Sequence, residues 1–266
     1  MTLILNPDFE RLWQDKDPFA EVDLIQGKVY RQLEARRTLR FEIDGKGYFL
    51  KSHKGVGWRE IVKNLLQLRL PILGAANEKN AILKLEEAGV ATMSMAACGS
   101  RGLNPARQES FIVTEAIEPS ISLEDLAIEW RTQPPTAVEK RQYIRAVAEI
   151  TRRMHAAGVN HRDFYICHFL LSSAEGAESL DLKLIDLHRA LIHSDMPFRW
   201  RLKDLASLYY SAFDVPLTQR DKLRFIRCYS GVPLREALQR DAVLWKKVRK
   251  KARKLYKKAL RKGIVR

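Results

Sequence analysis

The stretch that decides the fold is His161-Arg162-Asp163-Phe164-Tyr165-Ile166-Cys167-His168-Phe169-Leu170-Leu171, in which a carboxylate precedes a short apolar run typical of a buried β-strand. A second apolar run at 182–185 is followed directly by Asp186. Turn-forming residues around 172–178 predict that the two runs form a hairpin. Phosphoryl transfer needs two such carboxylates: one orients the acceptor hydroxyl and takes its proton, and the other holds a magnesium ion that bridges the nucleotide phosphates. A structural salt bridge is the alternative for the His-Arg-Asp triplet taken alone.

The chain upstream of this stretch has the pattern of a small, mostly antiparallel sheet with one or two helices. Asp44-Gly45 is a tight-turn signal between two β-prone runs. Pro71 and Gly89 mark the ends of two helical patterns. The predicted strands are 28–31, 38–42, 47–51, 91–98 and 111–115, and the predicted helices are 58–70 and 77–87.

Downstream, helical periodicity replaces the strand pattern. Helices are predicted at 122–130, with a Ser-x-x-Asp cap, and at 138–157, 203–212 and 219–229. The prediction is an α+β, bilobal fold, for which 266 residues are sufficient. It divides into a β-rich N-terminal lobe at 1–117, a helical C-terminal lobe at 118–244 and a basic amphipathic helix at 245–266.

Composition excludes several classes of protein. With 46% apolar and 30% charged residues the chain is neither disordered nor fibrous. No apolar stretch approaches the roughly 18 to 20 residues that span a bilayer. The first residues lack the features of a secretion signal, so we expect a cytoplasmic protein. Cys98, Cys167 and Cys228 are scattered and form no CxxC pair, which argues against a disulfide framework and a zinc knuckle.

The net charge of +15 is concentrated at one end of the sequence. Residues 245–266 hold twelve Lys or Arg and no Asp or Glu, which leaves +3 for residues 1–244. Trp245, Val248, Ala252, Leu255 and Ala259 recur at helical spacing, so this segment predicts an amphipathic helix. It could lie on an anionic membrane surface or an acidic substrate, or dock through its apolar stripe onto the body of the protein. Nucleic acid is the weaker alternative, and we expect no nucleic-acid partner.

The sequence resembles the lipopolysaccharide core heptose (I) kinase family of Gram-negative bacteria, which has a protein-kinase-like fold. The likeness covers most of residues 10–235. Besides 161–171 it rests on the segments 37–42, 48–51, 121–125, 186–190 and 217–221. The resemblance implies an ATP- and Mg²⁺-dependent transferase. It would phosphorylate position 4 of the first inner-core heptose at the cytoplasmic face of the inner membrane.

The resemblance also implies roles for single residues. Asp163 would be the catalytic aspartate on the heptose hydroxyl, and Asp186 the magnesium ligand. Lys51, which ends the third predicted strand, would hold the α and β phosphates unless it is simply a solvated lysine. Glu78 on the following helix would be its ion-pair partner, with Glu86 or Glu87 as alternatives.

Other segments are matched less specifically. Residues 111–117 resemble the strand and hinge where adenine bonds to the backbone, which would involve Glu115 and Ile117; a plain core strand is the alternative. Arg162, His188 and Arg189 would bind the phosphate and carboxylate groups of the sugar core.

Two departures from the usual kinase pattern stand out. His168 occupies the position where kinases place a metal-binding Asn, and a neutral imidazole suits softer cations than magnesium. It could instead bond to Asp163 or a phosphate, or simply pack. A glycine-rich phosphate loop is missing. Arg36 and Arg37, in the first predicted turn, could supply positive charge in its place, and a solvated turn is the alternative. Asp204 resembles the aspartate that braces the catalytic loop in kinases, with helix N-capping as the simpler alternative.

A second basic amphipathic segment, 58–69, lies between Lys51 and Glu78 in the sequence. It could pack inward or bind a lipid, an acyl chain or an acidic protein, so we expect an acidic or acyl-bearing protein partner. Two other functions remain open at this point. One is a kinase for another sugar, small-molecule or protein hydroxyl; the other is a kinase-shaped binding module for acidic partners.

Overall fold

The computed structural model describes residues 1–33, 35–55, 57–66, 74–172 and 180–263. The chain forms two compact units, which we call the sheet unit and the helical unit. The sheet unit contains Met1–Leu83, Met93–Glu118 and Leu187–Arg189, and the helical unit contains Lys84–Thr92, Pro119–Asp186 and Ala190–Arg266.

The sheet unit is built on an antiparallel sheet in the order β1-β5-β6-β4-β3-β2. Its strands are β1 (Thr2–Leu5), β2 (Lys28–Leu33), β3 (Arg36–Ile43), β4 (Lys46–Lys54), β5 (Met95–Arg101) and β6 (Glu109–Glu115), and its helices are α1 (Pro7–Leu12), α2 (Pro18–Leu24) and α3 (Gly57–Leu66). Helix α4 (Ala76–Glu87) begins in this unit and ends in the helical unit.

Turn chemistry fixes the register of the central hairpin. Asp44 and Gly45 both have positive φ, 51° and 75°, and Ile43 pairs with Lys46 across them. A two-residue turn of this kind matches the right-handed twist of the two strands, so the hairpin predicted at Asp44-Gly45 is confirmed. The register places Lys51 on β4 between Thr38 of β3 and Ile112 of β6.

Most predicted strands of this unit are confirmed, and β5 is displaced. It runs from Met95 to Arg101 rather than over 91–98, because Thr92 is held elsewhere: its Oγ1 donates to the Leu184 carbonyl at 2.6 Å. Helices α1 and α2 were not predicted. Each begins with a capping side chain followed by proline, Asn6-Pro7 and Asp17-Pro18, and that signal was available in the sequence.

The helical unit combines short strands with longer helices. Its strands are β7 (Ser120–Ser122), β8 (Val159–Asn160), β9 (Phe169–Ser172), β10 (Leu182–Leu184) and β11 (Leu191–Ile192), and its helices are α5 (Leu123–Glu129), α6 (Ala137–Ala156), α7 (Phe198–Ser211), α8 (Gln219–Ser230), α9 (Leu234–Arg240) and α10 (Ala242–Arg261). Strands β9 and β10 form the predicted antiparallel hairpin, with Leu171 opposite Leu182. Most of its predicted turn, 173–178, lies outside the described residues.

Two findings in this unit decide between alternatives left open by the sequence. Helix α7 begins at Phe198, so Asp204 lies inside the helix; the N-capping prediction for Asp204 is wrong. Helix α10 buries Leu244, Val248 and Ala252, and the first two join a core cluster with residues of α6, α7 and α8. The basic tail is therefore docked through its apolar stripe. No helix among the described residues is long and apolar enough to cross a membrane.

Candidate active site

A buried ion pair occupies the middle of the sheet unit. Lys51 Nζ lies 2.8 Å from Glu78 Oε1, and the Glu78 side chain is only 3% exposed. Ala81, Ile82 and Leu85 on the same helix are fully buried, which sets the helix rotation that turns Glu78 inward. Lys51 is thus paired with Glu78, while the alternatives Glu86 and Glu87 are exposed.

The loop that carries Asp163 is held by Asp204 of α7. The carboxylate of Asp204 accepts hydrogen bonds from Asn160 Nδ2 at 2.8 Å, from the His161 amide at 2.8 Å and from the Arg162 amide at 3.0 Å. Arg162 has a φ of 74°, a conformation that non-glycine residues keep only where the surroundings enforce it. Asp204 therefore fixes the backbone immediately before Asp163.

The environment of Asp204 keeps it ionised. Burial alone would raise the pKa of this carboxyl, but the polar side chains of His155 and Asn160 outweigh that effect and hold the pKa below its usual value. A charged acceptor bonds the loop amides more strongly than a neutral one. The ionised form of Asp204 is thus the form that holds the loop carrying Asp163.

His161 connects the same loop to the strand before Asp186. Its Nε2–H donates to the Ile185 carbonyl at 2.9 Å. Burial lowers the pKa of the imidazole, so His161 is neutral with its proton on Nε2. Its role is to connect the backbone on both sides of the hairpin.

His168 lies between the Asp163 backbone and Asp186. A main-chain carbonyl only accepts, so His168 Nδ1–H donates to the Asp163 oxygen at 2.7 Å. In the neutral imidazole Nε2 then carries a lone pair, and it lies 3.6 Å from Asp186 Oδ2. The predicted contact of His168 with Asp163 is therefore present, through the backbone and not the carboxylate. An imidazole lone pair facing a carboxylate is also a suitable arrangement for a cation.

Asp186 supplies the oxygen donor that magnesium prefers, whereas the imidazole of His168 suits softer cations. Mg²⁺ is usually held by one or two carboxylates together with substrate phosphates and water. The described residues contain no group of three His, Cys, Asp or Glu side chains that could hold a metal on their own. Asp186 thus suits an ion that arrives with a phosphorylated ligand, with His168 as the second donor.

The remaining predicted site residues fall in both units. His188 and Arg189 belong to a single 3₁₀ turn, Leu187–Arg189, of the sheet unit. Arg162 of the helical unit lies over the Trp200 ring at 5.7 Å. Glu115 ends β6, and its amide donates to the Ser94 carbonyl at 2.9 Å. Ile117 follows it at intermediate exposure.

Sequence reasoning missed a large apolar pocket in the helical unit. Its volume is about 610 Å³, and its wall includes Leu123, Tyr143, Val147, Phe225 and Trp245. Charged side chains, among them Lys222, Arg249 and Arg253, also line it. The apolar faces of α6, α8 and α10 were visible as sequence patterns. That they leave space between them depends on how the helices pack, and periodicity does not reveal this.

Comparisons with known proteins agree with one another. The family model described as "Lipopolysaccharide kinase (Kdo/WaaP) family" matches residues 20–229. The chain is 54% identical over 265 residues to lipopolysaccharide core heptose(I) kinase WaaP of Pseudomonas aeruginosa, covering 99% of each chain. It is 50% identical over 255 residues to the protein of the same name from Escherichia coli K12, covering 95% of this chain and 96% of that one. Among solved structures it resembles "WaaP in complex with acyl carrier protein", at 51% identity and a TM-score of 0.84, covering 96% of this chain and 100% of that chain.

Proposed function

Because the chain belongs to the lipopolysaccharide kinase (Kdo/WaaP) family and is a kinase of the first core heptose, we propose that Lys51, Asp163 and Asp186 carry its chemistry. The donor is ATP, as the kinase family implies, and the acceptor is the hydroxyl at position 4. The kinase-shaped binding module is excluded by family membership.

Each proposed residue has one task. Asp163 orients the heptose hydroxyl and accepts its proton as the oxygen attacks the γ-phosphorus, an effect of about 10² to 10⁴ in rate. Lys51 binds the α and β phosphates, and Glu78 keeps its ammonium group in place. Asp186, with His168, holds Mg²⁺, which neutralises phosphate charge when bound. Glu115 and Ile117 offer backbone groups to adenine, and Arg162, His188 and Arg189 contact the anionic sugar core.

The observation that carries this proposal is the pairing of Lys51 with the buried Glu78. Burying a carboxylate costs free energy unless the carboxylate is paired. The pairing with Lys51 therefore offsets the burial of Glu78. Protein kinases use the same ion pair to position the phosphate-binding lysine.

Two aspartate variants test the assignment. Asp163→Asn should lose nearly all transfer to isolated core glycan while still binding MgATP, since only acceptor activation is removed. Asp186→Asn should lose both phosphate transfer and MgATP binding. Asp195→Asn, an exposed carboxylate of the same unit, is the matched control and should behave as wild type. Near-normal transfer by a folded Asp186→Asn enzyme would overturn the metal assignment. NMR of the product would identify the hydroxyl, and phosphate at another position would disprove position 4.

We also propose an acyl carrier protein as a partner, with the apolar pocket receiving its acyl chain. The proposal is supported by the resemblance to the WaaP complex and by a pocket whose volume and wall suit a hydrocarbon chain. Acylated carrier protein should raise the thermal midpoint of the wild type, and Val147→Trp, which fills the pocket, should abolish the gain. Equal stabilisation by the unacylated carrier protein would contradict a role for the acyl chain.

Finally, we propose that the enzyme associates peripherally with the cytoplasmic face of the inner membrane. The support is the exposed cationic side of α10, including Lys250, Lys254 and Lys257. Each such charge near an anionic leaflet contributes about 1 kcal/mol. The acceptor glycan is carried by a lipid, so an enzyme held at the surface meets it at high local concentration.

A further inference from the structure

A chain of buried polar contacts connects α8 to the catalytic loop. The Tyr229 hydroxyl lies 3.0 Å from His155 Nδ1, and His155 Nε2 lies 3.6 Å from Asp204 Oδ2. The side chains of His155 and Asp204 are 4% and 0% exposed. Asp204 accepts the amides of His161 and Arg162, the residues immediately before Asp163. The contacts therefore lead from Tyr229 to the backbone beside the proposed catalytic aspartate.

The hydrogen-bonding roles of His155 follow from its two neighbours, the Asp204 carboxylate and the Tyr229 hydroxyl. An ionised carboxylate only accepts, so the imidazole nitrogen facing Asp204 carries the proton. The other nitrogen then accepts from the Tyr229 hydroxyl. Among the described residues His155 Nε2 has no hydrogen-bond partner, and 3.6 Å is longer than a hydrogen bond. The contact with Asp204 is thus an electrostatic one in a site that water does not reach, where such contacts are strong.

Tyr229 itself is held by aromatic packing. The Phe225 ring stacks parallel to it at 6.0 Å, and the Trp245 ring meets it edge-on at 5.6 Å. Both neighbours also line the apolar pocket. The position of the hydroxyl is therefore set by the ring, and removing the hydroxyl leaves the packing in place.

We propose that His155 and Tyr229 are positioning residues for phosphate transfer, acting through Asp204 on the loop that presents Asp163. The inference rests on the proposed role of Asp163. Neither residue touches a substrate in this proposal; they restrict the orientation of the Asp204 carboxylate and so keep Arg162 at its positive φ. Loss of either contact lowers the fraction of molecules in which Asp163 is aligned. Turnover falls, whereas nucleotide affinity, which depends on Lys51, is retained.

Three substitutions separate this role from a merely structural one. His155→Gln places an amide near the Nε2 position and keeps a donor for Asp204, whereas His155→Asn places it near Nδ1 and loses that donor. Tyr229→Phe removes only the hydroxyl. We expect kcat to fall about three- to tenfold in Tyr229→Phe and His155→Asn at unchanged KM for ATP, and to recover in His155→Gln. Tyr256 belongs to the same unit and is not part of the pocket wall, and its hydroxyl donates to Asp214 Oδ1 at 3.1 Å. Tyr256→Phe is therefore the matched control and should keep wild-type kcat.

A second measurement is independent of transfer. Amide hydrogen exchange at His161 and Arg162, without substrates, should be faster in Tyr229→Phe than in wild type or Tyr256→Phe. This measurement tests the positioning role even if His155→Asn does not fold. It also remains a valid test if Asp163 proves not to be the base. Unchanged exchange at these amides would overturn the proposal. Equal kcat in His155→Gln and His155→Asn would also overturn it, as would a kcat loss that Tyr256→Phe shares.

Discussion

At the scale of single residues, the surroundings keep two buried carboxylates paired or hydrogen-bonded and keep two cysteine thiols protonated. Glu78 is buried against Lys51, and Asp204 is buried but ionised because donors surround it. The cysteines are free, and two of them lie in surroundings that suppress the thiolate. These contrasts give two predictions about individual side chains.

The first concerns the ion pair. Glu78→Gln should raise the KM for ATP and lower stability by about 1 to 3 kcal/mol, because Lys51 loses the carboxylate that positions it. The estimate is below that for a fully buried pair because the Lys51 side chain is 22% exposed. Glu86→Gln, on the exposed side of the same helix, is the control. If Glu86→Gln raises the KM more than Glu78→Gln does, the phosphate-binding role of Lys51 is wrong.

The second concerns thiol reactivity. Burial raises the pKa of Cys98 and of Cys167 to about 11, so at pH 8 only about 0.1% of either thiol is ionised. Both should react with iodoacetamide roughly 200-fold more slowly than an unperturbed thiol of pKa about 8.5, and the rate should rise as pH approaches 11. Peptide mass mapping over a pH series measures this. Rapid labelling of Cys167 at pH 8 would show that the Cys167 thiol becomes exposed to solvent and would contradict the prediction.

At the scale of helices and strands, sequence pattern predicted those elements whose signal is local. The β3–β4 hairpin needed only Asp44-Gly45 between β-prone runs, and α5 needed only its Ser122 cap. The start of α7 was not recognised, because Pro197 and the aromatic residues after it carry no capping side chain. Asp204 was consequently assigned to a helix end. The loop residues that bond to Asp204 lie 42 to 44 positions before it in the sequence, and a local sequence pattern carries no information on such contacts.

The candidate site divides in the same way. Asp163 and Asp186 could be proposed from the sequence because motif and strand adjoin there, and Glu78 because helix periodicity predicts which side of the helix faces inward. The bond from His168 to the Asp163 backbone was foreseen only as one of several options. The contacts of Tyr229 with His155 were not foreseen, since they join helices whose relative placement the sequence does not specify.

Helix α10 gives the prediction at this scale. Changing Lys250, Lys254 and Lys257 to Gln should weaken binding to anionic phospholipid vesicles about 10- to 100-fold at physiological salt, with little change in activity on delipidated core glycan. The difference from wild type should shrink as salt rises, because such charges are screened over about 8 Å at physiological ionic strength. Arg11, Lys16 and Lys28 changed to Gln remove the same charge elsewhere. Equal weakening by that control would mean that net charge, and not α10, drives binding.

At the scale of the whole molecule, the basic tail is part of the folded protein and not an appendage. Leu244 and Val248 of α10 lie in one core cluster with Ala148 of α6, Leu205 of α7 and Tyr229 of α8. Trp245 packs against that cluster and also lines the apolar pocket. The same helix therefore offers cations to the outside and closes the core on the inside, so stability and surface binding cannot be separated by deleting it.

The last prediction follows from this double role. Leu244→Ala should lower the stability of the protein by about 2 to 5 kcal/mol, as expected for truncating a side chain that is only 2% exposed. Leu260→Ala, at 45% exposure near the end of the same helix, should cost little. Scanning calorimetry should show the loss in Leu244→Ala as a thermal midpoint lower by roughly 4 to 20 °C. Removal of residues 242–266 should act more strongly in the same direction, and activity on delipidated glycan and on membrane-embedded acceptor should fall together. If the truncated protein keeps full activity on delipidated glycan and loses only the membrane-embedded acceptor, the core role of α10 is wrong.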